Sequence, residues 1–253
     1  MSRLINMLIT QGYLKSDPLI EAFNDVRREE FVPDEFVAEA ETNIPLPIGY
    51  GQTISQPLTV AVMLELLDLK PGQKVLDVGS GSGWTSALMA SVVGEDGLGV
   101  AVERIPELRD FGKKNIDKFG FVGMHRVKCV LGDGREGYAE DAPYDRILVS
   151  ASSDEIPDAY KKQLAVGGKM VIPIYNSLAY VEKRGEDDFY VERFPGFLFV
   201  PLVEHSPSAS GKNVIWNRKR DSGKRNGNPS ERFGRRVFFC ASRRFCSCRV
   251  CFF

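Results

Sequence analysis

The sequence predicts an α/β fold: a mostly parallel sheet covered by helices on both faces, with an antiparallel hairpin at one edge. Three observations carry this prediction. Val75 to Val78 is a short buried run, bounded by Pro71-Gly72 and Gly79, that breaks into the glycine-rich turn Gly79-Ser80-Gly81-Ser82-Gly83 before a helical stretch from Thr85 to Val93. Strand-like runs near 74–78, 98–103, 125–131, 145–150 and 169–174 alternate with helical stretches near 85–93, 105–119 and 156–164. That alternation is the pattern of a parallel sheet with both faces covered. Finally, strand-like runs at 178–184 and 189–203 flank the polar turn Gly185-Glu186-Asp187-Asp188, which predicts the edge hairpin.

The elements follow in order from the N-terminus. Leu4, Ile5, Met7, Leu8 and Tyr13 predict a first amphipathic helix over residues 3–14, ending around Gly12. Asp17-Pro18 reads as an N-cap followed by proline at the first helical position, predicting a helix to about Val26. Phe31-Val32-Pro33 closes that unit. Residues 34–56, with Pro45, Pro47, Gly49 and Gly51, read as a loop, and Pro57 opens a helix whose Val60, Met63, Leu64 and Leu67 recur at helical spacing. Residues 1–56 are thus expected to cap a domain that runs to residue 203.

Composition sets the bounds. The 253 residues suffice for one large domain with appendages, and 43% hydrophobic with 26% charged residues is ordinary for a globular protein. No run approaches the ~18 apolar residues of a membrane span. The opening Met1-Ser2-Arg3-Leu4 lacks a long apolar stretch with a cleavage site, so a cytoplasmic location is expected. Neither a membrane nor a nucleic acid is expected as partner of the domain, no metal is called for, and a monomer is the expectation. The net charge of −1 hides an asymmetry: residues 204–253 hold 12 Lys/Arg against 3 Asp/Glu.

In an open α/β sheet, ligands bind beyond the carboxyl ends of the strands. Three polar features fall there. The first is Asp77 with Gly79, Gly81 and Gly83, glycines that allow a ligand close to the backbone, ahead of a helix N-terminus suited to an anion or polar group. Asp77 is placed to bond either the turn or the ligand. The second is Glu103, 20 residues beyond Gly83, where a carboxylate can accept from ribose hydroxyls; its plainer reading is a solvated charge. The third is Asp133-Gly134, placed to read an adenine edge, or simply to stabilise a turn. A dinucleotide fingerprint would need glycine at position 84, which is Trp84, and no G-x-x-x-x-G-K-[ST] occurs. The set suits adenosine held through ribose and base, with a small sulfonium group near the turn.

Val75-Leu76-Asp77-Val78-Gly79-Ser80-Gly81-Ser82-Gly83 resembles the first motif of S-adenosylmethionine-dependent methyltransferases. Gly49-Tyr50-Gly51-Gln52-Thr53-Ile54-Ser55-Gln56-Pro57 resembles, more specifically, the signature of protein-L-isoaspartate O-methyltransferases. Leu131 to Tyr138, Ala142 to Asp145, Ile156-Pro157, Gln163-Leu164 and Gly167-Gly168 are similar to that family too, and the likeness covers about residues 3–203. The resemblance implies a Rossmann-like class I methyltransferase fold and S-adenosyl-L-methionine as cofactor. It implies methyl transfer to the free carboxylate of isoaspartyl residues in damaged proteins and peptides, whose ester closes to a succinimide and reopens partly to aspartate. It implies Ser55 as the catalytic residue, with Gln52, Thr53 and Ile54 binding substrate; outside the motif, a lone loop serine would read as a turn or cap residue. The inventory agrees: a carboxylate is already an anion at pH 7, so only two histidines in the chain are no obstacle.

The chain departs from the family at Ser150-Ala151-Ser152-Ser153, expected to border the substrate, and at Val203. It departs again from residue 204 on. Ser206 to Gly234 is rich in Ser, Gly, Asn, Lys and Arg, a composition that cannot bury a core. Cys240, Cys246, Cys248 and Cys251 admit a zinc or disulfide cluster, without a well-attested spacing, and the basic run 218–236 admits a nucleic acid or an acidic surface as partner. A disordered extension, such as a shifted reading frame would leave, is the simplest reading. Two rivals to isoaspartyl methylation stand: the same fold acting on another carboxylate or small molecule, and a cofactor-binding adaptor without turnover.

Overall fold

The computed structural model describes residues 1–202; the expectations for Val203 and for the tail from residue 204 lie outside them. Two helices come first, α1 (Arg3–Thr10) and α2 (Asp17–Asp25), then the short strands β1 (Leu46–Gly49) and β2 (Gln52–Ile54) and helix α3 (Pro57–Leu67). The main body follows as β3 (Lys74–Val78), α4 (Trp84–Val93), β4 (Leu98–Glu103), α5 (Pro106–Asp117), β5 (Val127–Leu131), β6 (Tyr144–Val149), α6 (Asp158–Gln163), β7 (Leu164–Ile174), β8 (Ser177–Lys183) and β9 (Phe189–Pro195).

The seven-stranded sheet runs β5-β4-β3-β6-β7-β8-β9. The five strands from β5 to β7 pair in parallel, and β8 and β9 add the expected antiparallel edge. Its inner strands bury Leu76, Val78, Val100, Val102, Ile147, Val149, Met170 and Ile172, the near-continuous apolar runs of strands covered on both faces. Helices α3 and α4 are apolar almost all round and correspondingly buried. The chain leaves β3 towards β4 and β5 on one side and returns to β6 on the other. The carboxyl ends of β3 and β6 therefore flank a switch point, where such sheets open a crevice.

Several expectations are corrected. Asp17 is not the N-cap of α2: Ser16 holds that position without a side-chain cap bond, and Asp17 and Pro18 open the helix. Instead, Glu65 of α3 accepts from the Lys15 and Ser16 amides at 2.7 and 2.9 Å, a tertiary contact that local pattern does not carry. Residues 34–56 are not a plain loop. They hold a 3₁₀ turn, Asp34–Glu39, and the β1–β2 hairpin, turned through Tyr50 and Gly51 at positive φ. The last strand ends at Pro195 rather than 203, because Gly196 at φ 101° turns the chain out of the sheet. Residues 200–202 instead form a strap: the Ser152 amide donates to the Val200 carbonyl at 2.8 Å, and the Leu202 amide to Ser152 at 2.7 Å.

Among the described residues, no helix is long and apolar enough to cross a membrane.

Candidate active site

A cleft of about 850 Å³, counting its open mouth, lies at the switch point. The glycine turn Gly79–Ser82 forms its floor, and Glu103 to Ile105 one side. Gly134 and the strap Val200–Leu202 close another side, Ser150 and Ala151 border it, and Gln52 to Ser55 face it from β2 and its following loop.

The turn is built from the sheet outward. The Gly79 and Ser80 amides donate to the Val102 carbonyl at 2.9 and 3.2 Å, carrying the chain past the end of β3. Gly79 and Gly81 adopt positive φ and line the cleft, as expected of glycines that admit a ligand. Gly83 has a different role. A β-carbon there would sit 2.8 Å from Ile116 Cγ1 and 2.9 Å from the Gly112 carbonyl, so its missing side chain lets α5 pack against the turn and does not face the cleft. Gly112 answers from α5, where a β-carbon would stand 2.6 Å from the Gly81 carbonyl.

Glu103 is 6% exposed and held by backbone alone: Oε2 accepts from the Gly81 amide at 3.0 Å, and Oε1 from the Arg104 and Ile105 amides at 2.8 and 2.9 Å. Three donors leave a carboxylate with acceptor capacity to spare, directed at the cleft it lines. Its plainer reading as a solvated charge is set aside.

Asp77 lies outside the cleft. Its Oδ2 accepts from Thr85 Oγ1 and Ser86 Oγ, both at 2.6 Å, which fastens the first turn of α4 to β3. It bonds neither the turn nor the cleft, so its expected place among the cofactor contacts is corrected to one of support. Burial, reinforced by the nearby Glu103 charge and opposed by the two hydroxyls, pushes its carboxyl up to about 6. Asp133 likewise folds back, its Oδ1 accepting from the Arg135 amide at 3.0 Å and its carboxylate pairing with the Arg135 guanidinium, while Gly134 beside it faces the cleft. The Tyr160 hydroxyl donates to the Gly134 carbonyl at 2.7 Å and Gln163 Nε2 to the Glu136 carbonyl at 2.7 Å, so α6 holds this loop.

On the opposite side, Gln52, Thr53, Ile54 and Ser55 all reach the cleft. The Ser55 hydroxyl has no hydrogen-bond partner among the described residues, whereas its carbonyl accepts from Arg28 Nη2 at 3.1 Å. Trp84, which occupies the position of the missing glycine, is buried: its indole N–H donates to the Val26 carbonyl at 3.1 Å, and its ring meets Phe23 edge-on at 5.5 Å. It is the socket for the N-terminal cap.

The sequence of the first 207 residues matches the family model for protein-L-isoaspartate(D-aspartate) O-methyltransferase. The chain belongs to this family. It is similar to the protein-L-isoaspartate O-methyltransferase of Methanopyrus kandleri, 47% identical over 205 residues that cover 79% of this chain and 90% of the relative. It is also similar to the enzyme of that name from Methanothermobacter thermautotrophicus, 41% identical over 206 residues, covering 79% and 94%. Among solved structures, a protein-L-isoaspartate O-methyltransferase of Plasmodium falciparum crystallised with S-adenosyl-L-homocysteine superposes with a TM-score of 0.70 at 25% identity, over 80% of this chain and 97% of that one. A second structure of that enzyme name gives 0.71 at 31% identity, over 79% and 64%. The family match ends at residue 207, close to the change of composition at 204.

Cleft residues that the sequence did not single out for a ligand are Ile48, Val60, Thr85, Val102, Arg104, Ile105 and the strap. Alternation along β1 could have pointed to Ile48. The strap had no such signal, since Val200-Pro201-Leu202 reads as more strand.

Proposed function

We propose that this chain transfers a methyl group from S-adenosyl-L-methionine to the free carboxylate of L-isoaspartyl residues in damaged proteins, the first step of their repair. The observation that carries it is the Ser55 hydroxyl, free of protein partners among the described residues, facing across one cleft the Gly79–Ser82 turn and Glu103. The residues fit the cofactor. Glu103 has acceptor capacity for ribose hydroxyls, and Gly134 borders the same cleft, its missing side chain letting the loop after β5 pack against Val78, whose Cγ1 would stand 2.7 Å from a β-carbon there.

When bound, S-adenosyl-L-methionine supplies a methyl carbon already activated on a sulfonium sulfur. The substrate carboxylate needs no general base, being ionised at pH 7. With the acceptor already ionised, no side chain of this chain would have to take up or give a proton. What the protein supplies is alignment, worth several orders of magnitude in rate when reacting atoms are held in line. In this reading Ser55 donates to the carboxylate, Gln52, Thr53 and Ile54 hold the peptide, and Gly79, Gly81, Glu103 and Gly134 hold the cofactor. A monomeric, cytoplasmic enzyme completes the proposal, with residues 1–203 as its methyltransferase domain.

Methylation of an isoaspartyl peptide beside its normal-aspartyl twin tests it. Methyl transfer to the isoaspartyl form alone is the expected result. Transfer only to another acceptor, or cofactor binding without turnover, overturns it.

A further inference from the structure

Arg28 stands in the N-terminal cap, far along the chain from every cleft residue. Its guanidinium is 4% exposed and donates to four carbonyls: Nη1 to Ala40 and Thr42 at 3.0 and 3.2 Å, Nη2 to Ile44 and Ser55 at 2.8 and 3.1 Å. One planar cation thus ties both ends of the 44–55 segment, which contains the β1–β2 hairpin and ends on Ser55. Its other neighbour is Trp84, whose ring lies 5.5 Å from the guanidinium carbon and which is the first residue of α4, immediately after the glycine turn. Arg28 therefore touches, through one group, the segment that faces the acceptor and the helix that follows the donor turn.

Stability alone is a poor explanation for this arrangement. A buried charge loses its hydration, and the Glu41 carboxylate, which forms no ion pair with Arg28, offsets that loss only in part. What four carbonyls on one rigid fork do supply is position: guanidinium donors lie in a fixed plane, which an ammonium group cannot reproduce.

We propose that Arg28 is a positioning residue for methyl transfer: it sets the distance between the Ser55 loop and the glycine turn, and acts through Ser55 rather than on either substrate. This deepens the reading above and rests on Ser55 facing the acceptor carboxylate. Lysine at this position keeps the charge and loses the fork.

The test compares Arg28→Lys and Arg28→Ala with the unaltered full-length protein, using an isoaspartyl peptide and S-adenosyl-L-homocysteine as probes. In R28K the affinity for S-adenosyl-L-homocysteine stays within about twofold, while kcat/KM for the peptide falls about ten- to a hundredfold, the scale of a misplaced catalytic group. Added guanidinium ion restores part of the turnover of R28A, which a general loss of folding does not allow. Wild-type kcat/KM in R28K overturns the proposal, as does a parallel loss of cofactor affinity and peptide turnover. If R28A does not fold, R28K carries the test by itself. If the unaltered protein methylates no isoaspartyl peptide, the functional reading fails and amide exchange decides the positioning claim. Faster exchange in R28K across residues 44–55, with 79–83 unchanged, upholds it; any other pattern overturns it.

Discussion

The two walls of the cleft are built by different means. The wall proposed to hold the methyl donor, hereafter the donor wall, is made where strands end: Gly79 and Ser80 bond the Val102 carbonyl, and Glu103 bonds Gly81, so the site continues the sheet's own hydrogen bonding. The wall proposed to face the acceptor, hereafter the acceptor wall, is a two-stranded hairpin and loop outside the main sheet, tied down by side chains. Arg28 grips the Ile44 and Ser55 carbonyls, and Asn43 links to Gln56 and to the Leu58 amide at 2.9 and 3.0 Å. A wall made of sheet is rigid by construction, whereas a wall made of clamps is only as rigid as each clamp. Such a division suits a reaction with one invariant donor and acceptors carried on many different protein surfaces.

The comparison can be broken from either side. The largest effect is expected at the acceptor wall. Ser55→Ala should lower methyl transfer to an isoaspartyl peptide by about 10²-fold and leave S-adenosyl-L-homocysteine affinity unchanged; turnover at the wild-type rate would remove Ser55 from catalysis. At the donor wall the consequence is reversed. Glu103→Ala should weaken cofactor affinity in calorimetry by about ten- to a hundredfold, the scale of one or two charged hydrogen bonds, and an unaffected affinity would overturn its assignment.

Asp77 sharpens the contrast through stability. Its native carboxyl holds a proton to about pH 6, against an ordinary value of 3.8. Between those values the native state binds more protons than the unfolded chain, so stability falls as pH rises from about 4 to 6 and levels off above. Relative to Asp77→Asn, the wild type should lose on the order of 1–3 kcal/mol across that window, read by urea unfolding at a series of pH values. Parallel profiles for the two proteins would contradict this account.

Smaller effects follow at the supports. Tyr160→Phe removes the bond to the Gly134 carbonyl and should cost about 1 kcal/mol, seen as a weakening of cofactor affinity by about fivefold with peptide KM unchanged. An altered peptide KM would show that α6 serves both walls. Smallest of all, truncation after residue 207, where the family match ends, should leave kcat/KM within about twofold of the full chain. A large loss would give the basic, cysteine-rich tail a part in the reaction.

How much was legible follows the same division. The strands, the glycine turn and Glu103 were readable because parallel strands, positive-φ turns and strand-end carboxylates depend on residues close in sequence. The Gln52–Pro57 segment was readable only as a resemblance, and its reading as loop missed the hairpin that presents it. By their motif, Gly83 reads as a ligand contact and Asp77 as a partner of either the turn or the ligand. The structure turns Gly83 towards Ile116 and Gly112, and Asp77 towards Thr85 and Ser86.

The sequence by itself determined the frame of the proposed donor wall, since a strand, a glycine turn and an acid at the next strand end specify their own geometry through local backbone chemistry. Only the tertiary structure decided how the acceptor loop meets it. Arg28 finds Ser55 across 27 residues, and Trp84 finds Val26 across 58. Neither contact leaves a period or a motif in the chain, because a buried guanidinium and a buried indole choose their partners by proximity in the folded core, not by distance along the sequence.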